Sequence, residues 1–161
     1  MNKVYLQLGS NIGKRYDYLS NGKKLISDKI GKIRCQSKIY ESTPWGVTGQ
    51  NQFLNQIIIV DTHLNAKKIL EISQEIEKES GRKTKNKWEA RTLDIDILFF
   101  NNEIINTETL KIPHPLIQER LFVLIPLYEI NKNLKHPVLK KDISTLLSEC
   151  NDKEKVNEFA I

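Results

Sequence analysis

The alternation of apolar and polar positions along the chain predicts a definite order of elements. Val4 to Leu8 alternate as a strand, and Gly9-Ser10-Asn11-Ile12-Gly13 reads as a turn. Tyr18/Leu19, Gly22, Leu25/Ile26 and Lys29/Ile30 then recur at helical spacing. They predict an amphipathic helix from about Tyr16 to Ile30, stopped by Gly31. Ile33 to Ser42 reads as a second strand, and Thr43 to Gln52 as a loop of breakers and polar residues. Phe53 to Thr62 is a third strand, whose unbroken run Ile57-Ile58-Ile59-Val60 fits a central position. Asn65 is placed to cap a second helix, with Ala66, Ile69/Leu70, Ser73, Ile76 and Ser80 on one face and Gly81 as its stop. Arg91 to Phe100 reads as a fourth strand, and Asn101-Asn102 as a tight turn into Glu103-Ile104-Ile105. After Pro113-His114-Pro115, the run Leu121 to Leu127 predicts one or two helices broken near Pro126. Asp142 can cap a last helix near Ile143 to Leu147, followed by a polar tail.

The order β-α-β-β-α-β with C-terminal helical additions is the split-βαβ, ferredoxin-like pattern of an α+β protein. It predicts an antiparallel sheet with helices on one face and the other face available for a site.

Composition adds bounds. At 161 residues, residues 1–161 read as one domain with room for a real core. Hydrophobic content of 39% and charged content of 28% are ordinary for a globular chain. No apolar run approaches a membrane span, and the first strand begins too early to leave room for a signal peptide. Cys35 and Cys150 lie far apart and lack metal-ligand spacing, so they read as reduced thiols of a cytoplasmic protein. A net charge of +5 permits an acidic partner, either nucleic acid or a phosphorylated small molecule.

The candidate chemistry lies in the fourth strand. Side chains alternate faces, so Asp94 and Asp96 share one face while Leu93, Ile95, Ile97 and Phe99 share the other. Two like carboxylates side by side cost energy unless a cation, a metal or a shared proton offsets their repulsion. Just upstream, Arg82-Lys83-Thr84-Lys85-Asn86-Lys87-Trp88-Glu89-Ala90-Arg91 holds five cations against one acid. Mg²⁺ takes a few carboxylate oxygens plus substrate phosphates, so this pairing fits a magnesium polyphosphate site. A solvated strand face neutralised by the basic loop fits the same pattern.

Further motifs stand in order around this pair. They are Gly9-Ser10-Asn11-Ile12-Gly13, Ser42-Thr43-Pro44-Trp45-Gly46, Phe53-Leu54-Asn55, Gly81-Arg82, Lys87 to Ile97 with its Arg-x-x-Asp-x-Asp core, and Pro113-His114 with Arg120 and Phe122. With these residues the chain resembles the 6-hydroxymethyl-7,8-dihydropterin pyrophosphokinases of the folate pathway, from about residue 2 to residue 135. The resemblance implies transfer of diphosphate from ATP to the hydroxymethyl group of the reduced pterin, with release of AMP. It implies two Mg²⁺ held by Asp94 and Asp96, and phosphate contacts from Arg82 and Arg91. On the nucleotide side it implies Gln74, Glu77, Lys85, Lys87, Ile97, Lys111, His114 and Arg120. On the pterin side it implies stacking by Phe53 and Phe122, hydrogen bonding by Asn55, Ser42 and the backbone of Thr43, Pro44 and Trp45, and a lid carrying Trp88. ATP and the pterin are then the partners of a monomer that binds neither nucleic acid nor membrane.

Without the resemblance, Phe53 and Phe122 read as ordinary core, His114 as structural, and Gln74 and Glu77 as a solvated helix face. The chain departs from the family pattern at Glu89, where glycine is usual, at Lys87, where arginine is common, and at Trp45 and Pro115. An RNA-binding module shares the β-α-β-β-α-β order. Its central-strand pattern of aromatics is absent from Phe53 to Val60 and from the first strand.

Overall fold

The computed structural model describes residues 1–44, 49, 51–81 and 92–161. Its elements are β1 (Asn2–Ser10), α1 (Arg15–Lys29), β2 (Lys32–Gln36), β3 (Tyr40–Ser42), β4 (Phe53–Thr62), α2 (Ala66–Glu79) and β5 (Asp94–Phe100). A small hairpin follows, β6 (Ile105–Asn106) and β7 (Lys111–Ile112). Then come α3 (Leu121–Asn131), α4 (Ile143–Glu149) and β8 (Val156–Glu158). The main sheet runs β5-β1-β4-β3-β8, with β2 also on β4, and every pairing is antiparallel. This is the ferredoxin-like arrangement that the order of elements predicts. Asn65 caps α2 by accepting Lys68 N–H at 2.8 Å, and Asp142 caps α4 by accepting Thr145 N–H at 2.8 Å. Gly81 ends α2 in the left-handed region, at φ +90.

The central strands are buried on both faces. One face packs Val4, Leu6, Leu8, Leu54, Ile58 and Val60 against Leu19, Ile26, Ile69 and Ile76 of α1 and α2. The other packs Tyr5, Ile57, Ile59 and Phe99 against Val123, Leu124 and Leu127 of α3 and Ile143 and Leu146 of α4. Helices therefore lie on both faces, not one. The apolar C-terminal helices need a surface to bury, and the second sheet face supplies it.

Four further expectations are corrected. The strand expected over Ile33–Ser42 is two strands. Ser37 breaks it by turning its own groups onto β4: its Oγ accepts Ile57 N–H at 3.0 Å, and its carbonyl accepts the Gln56 side chain at 2.7 Å. In β5, Tyr5 pairs with Phe99 but Leu6 pairs with Ile97, so Leu98 is an extra residue. That bulge moves Phe99 onto the face of Asp94 and Asp96, because one inserted residue reverses the alternation. α3 is one helix running through Pro126. The carbonyl that a residue-126 N–H would have met, Phe122 O, accepts Gln7 Nε2–H at 3.2 Å, which offsets the lost helical bond. Finally, the polar tail contains β8, paired with β3. Cys35 and Cys150 are free thiols. Among the described residues, no helix is long and apolar enough to cross a membrane.

Candidate active site

Pairing register sets the site. Gly9 of β1 faces Asp94 of β5 on one side and Asn55 of β4 on the other, and Asn55 faces Tyr40 of β3. Directly opposed residues share a sheet face, so Asp94, Gly9 and Asn55 form one row. Asp96, Gln7 and Ile57 form the next. Both aspartates are half-buried.

Gly9 puts no side chain on this row. A Cβ there would lie 3.5 Å from the Phe53 ring and 3.6 Å from Asn55 Oδ1, so a larger side chain would press on both. Asn55 is 3% exposed. Its Nδ2 donates to Ser42 Oγ at 2.7 Å and to the Tyr40 carbonyl at 3.3 Å, which fixes the amide plane. Phe53, Thr43 and Pro44 are half-buried beside it.

The start of α3 forms a second wall. Phe122 is half-buried, and its carbonyl is held by Gln7 between the positions of Asp96 and Ile57 in the sheet. The Arg120 guanidinium lies 5.4 Å from the Phe122 ring centroid, a cation–π geometry. His114 donates its backbone N–H to Leu98 O at 3.0 Å, which ties it to β5. Its Nδ1 accepts Leu116 N–H at 3.1 Å, so in the neutral ring the proton sits on Nε2.

The residues expected on the nucleotide side have the following surroundings within the protein. Glu77 is 4% exposed, and its Oε2 accepts Ile95 N–H at 2.8 Å. Its carboxylate holds the backbone between the two aspartates instead of lying on a solvated helix face. The Ile97 side chain is in the core between the sheet and α1 and α2. Lys111 is exposed on the β6–β7 hairpin, with Nζ on Asn106 Oδ1 at 2.8 Å and Thr107 O at 3.3 Å. Gln74 is half-buried on α2. Trp45, Arg82, Lys85, Lys87, Trp88 and Arg91 lie outside the described residues. Gln7 is a site neighbour that the sequence reading missed. Its signal was a polar residue inside the apolar strand Val4–Leu8.

The donor set bears on the expected metal. Among the described residues, no three His, Cys, Asp or Glu side chains gather as ligands. Two carboxylates alone do not make a closed protein cage. They fit an ion that fills its remaining positions with water and substrate phosphates, as Mg²⁺ does.

Fold and site together define a ferredoxin-like α+β protein whose paired-carboxylate strand shares a sheet face with Gly9 and Asn55. Residues 5–132 match the family described as 7,8-dihydro-6-hydroxymethylpterin-pyrophosphokinase. The chain is 47% identical over 130 residues to a Bacillus subtilis protein named 2-amino-4-hydroxy-6-hydroxymethyldihydropteridine pyrophosphokinase, covering 80% of this chain and 78% of that one. It is 40% identical over 143 residues to the Aquifex aeolicus protein of the same name, covering 89% of each. It also superposes on a Plasmodium falciparum HPPK-DHPS structure with TM-score 0.75 at 19% identity, over 92% of this chain and 42% of that longer one. That last likeness bears on the fold. The chain belongs to the 7,8-dihydro-6-hydroxymethylpterin-pyrophosphokinase family.

Proposed function

We propose that the chain transfers diphosphate from ATP to the hydroxymethyl group of 6-hydroxymethyl-7,8-dihydropterin in folate biosynthesis, releasing AMP. Family membership supports the reaction. The observation that carries its assignment to these residues is the row Asp94–Gly9–Asn55, which sets a carboxylate and an amide on one sheet face with a glycine between them.

The flat pterin enters over Gly9, stacked between Phe53 and Phe122, with its polar edge on Asn55, Ser42 and the backbone of Thr43, Pro44 and Trp45. Stacking and edge bonding point its hydroxymethyl group toward Asp94 and Asp96. Two Mg²⁺ held by these carboxylates would neutralise the triphosphate and lower the pKa of the hydroxymethyl group. Arg82 and Arg91 meet the transferring phosphates, where a planar fork gives bidentate contact. Arg120 and His114 add donors at the phosphate end. Glu77 acts through the backbone: by holding Ile95 N–H, it fixes the spacing of the aspartates. The hydroxymethyl oxygen gives up its proton to solvent and attacks the β-phosphorus, the bond from that phosphorus to the oxygen bridging the α-phosphate breaks, and AMP leaves with the electron pair. Protein assistance in such transfer is mostly positioning and charge neutralisation. The chain acts as a single domain and a monomer, with the two small molecules as its partners. Trp88 is a further aromatic contact for the pterin.

Phosphorus NMR of the products tests the reaction. Formation of AMP with a diphosphate ester of the pterin is expected. Release of ADP with a pterin monophosphate would make this a simple kinase, and ATP turnover unaffected by pterin would remove the pterin assignment.

A further inference from the structure

The segment after α4 crosses the site end of the molecule before it joins the sheet as β8, and it lies outside the residues matched to the family. Asp152 meets one wall of the slot. Its Oδ2 accepts Leu121 N–H at 3.0 Å, and its Oδ1 accepts Glu154 N–H at 3.0 Å. Leu121 is the first residue of α3, and the Arg120 side chain supplies no cap there. First-turn amides need an acceptor, and an anion is favoured at that end of a helix. Asp152 therefore caps from a distance the turn that carries Phe122.

Two residues on, the same segment meets the opposite wall. The Glu154 carboxylate accepts the Thr43 hydroxyl, and the Lys155 carbonyl accepts Thr43 N–H at 3.3 Å. Pairing then continues with Ser42 against Val156 and Tyr40 against Glu158. Ser42 is the residue whose Oγ receives Asn55 Nδ2. Asp152 and Glu154 thus join α3 to β3 across a very short stretch of chain.

We propose that residues 152–155 form a strap that sets the width of the pterin slot, with Asp152 and Glu154 as positioning residues for the flat heteroaromatic substrate. This rests on the reading of Phe122, Ser42 and Asn55 as the pterin walls. A stacked ring is sensitive to that width, because dispersion contact falls off steeply with a small gap. Of the ATP contacts proposed above, those on β5 lie away from the strap, while Arg120 adjoins the capped residue Leu121.

The test uses the full chain with Asp152→Ala, Asp152→Asn and Glu154→Gln, measuring KM for each substrate and hydrogen exchange. Asp152→Ala should raise the pterin KM about five- to tenfold, the scale of losing one charged helix cap, with a clearly smaller rise in the ATP KM through Arg120. Asp152→Asn keeps an acceptor for Leu121 N–H and should recover part of the loss. Exchange should speed up in both segments 40–44 and 120–124 of Asp152→Ala, with 53–62 unchanged. A lower unfolding temperature with both KM values unchanged, or raised equally, would make the segment merely structural and overturn the proposal. So would exchange that changes in one segment only. A parent that makes no AMP with the pterin would instead contradict the function reading, and the exchange data would then decide the strap by themselves.

Discussion

At the scale of residues, the central assignments depend on what shares a face with what. Gly9 is the least conspicuous of these residues and one of the most testable. Gly9→Val adds branched methyls over the row between Asn55 and Asp94. It should raise the pterin KM about tenfold or more, since a misplaced reactant loses rate steeply, while the ATP KM stays near the parent value. Equal loss for both substrates would place the pterin elsewhere. Arg91→Ala should act in the opposite sense, lowering kcat or raising the ATP KM with pterin binding nearly unchanged. Loss of pterin affinity alone in that variant would contradict the phosphate role. The aspartate pair was legible in the sequence because strand alternation puts Asp94 and Asp96 together without help from tertiary structure. Glu77 was not. A carboxylate on an amphipathic helix reads as solvated, and its burial against Ile95 N–H depends on where β5 lies after folding.

At the scale of elements, local pattern and long-range pairing had unequal weight. β4 runs from Phe53 to Thr62, as its apolar run and flanking breakers predict. The caps Asn65 and Asp142 were equally readable, because capping is decided within a few residues. The phase of β5 beyond Ile97 was not, because the bulge at Leu98 arises from pairing with β1. Pro126 was read as a break because the acceptor it leaves is satisfied by Gln7, 115 positions away. That bond makes a prediction. Gln7→Leu should cost about 1–3 kcal/mol in denaturant unfolding, the range for leaving a buried carbonyl unmade. In that background, Pro126→Ala restores a helical N–H and should recover much of the loss. Additive effects of the two changes would show that Gln7 and Pro126 are not coupled.

At the scale of the molecule, the order of elements gave the ferredoxin-like sheet, but not the layer on its second face or the return of the tail as β8. Apolar periodicity reports that α3 and α4 bury something, not which surface they bury. His136 marks that second layer. It is 4% exposed and stacks edge-on with Phe99, with ring centroids 5.8 Å apart. Its Nδ1 accepts Val138 N–H at 3.2 Å and Leu139 N–H at 3.0 Å. Burial holds its pKa below the ordinary 6.5. The unfolded chain therefore takes up this proton first, and the stability contribution is present above the unfolded pKa. It is lost as pH falls below 6.5 toward the folded value. His136→Asn should flatten that part of the unfolding-temperature profile, and an unchanged slope would exclude His136 as its source. The central claim concerns the opposite end of the sheet, where two carboxylates share a face with Gly9 and Asn55. Its most direct measurement is pterin-dependent AMP formation by Asp94→Ala and Asp96→Ala, with circular dichroism confirming the fold. Turnover should fall roughly a thousandfold or more in each, the scale expected if each carboxylate is a metal ligand as proposed. Near-parental AMP formation by a folded Asp96→Ala protein would contradict the assignment of this strand to catalysis.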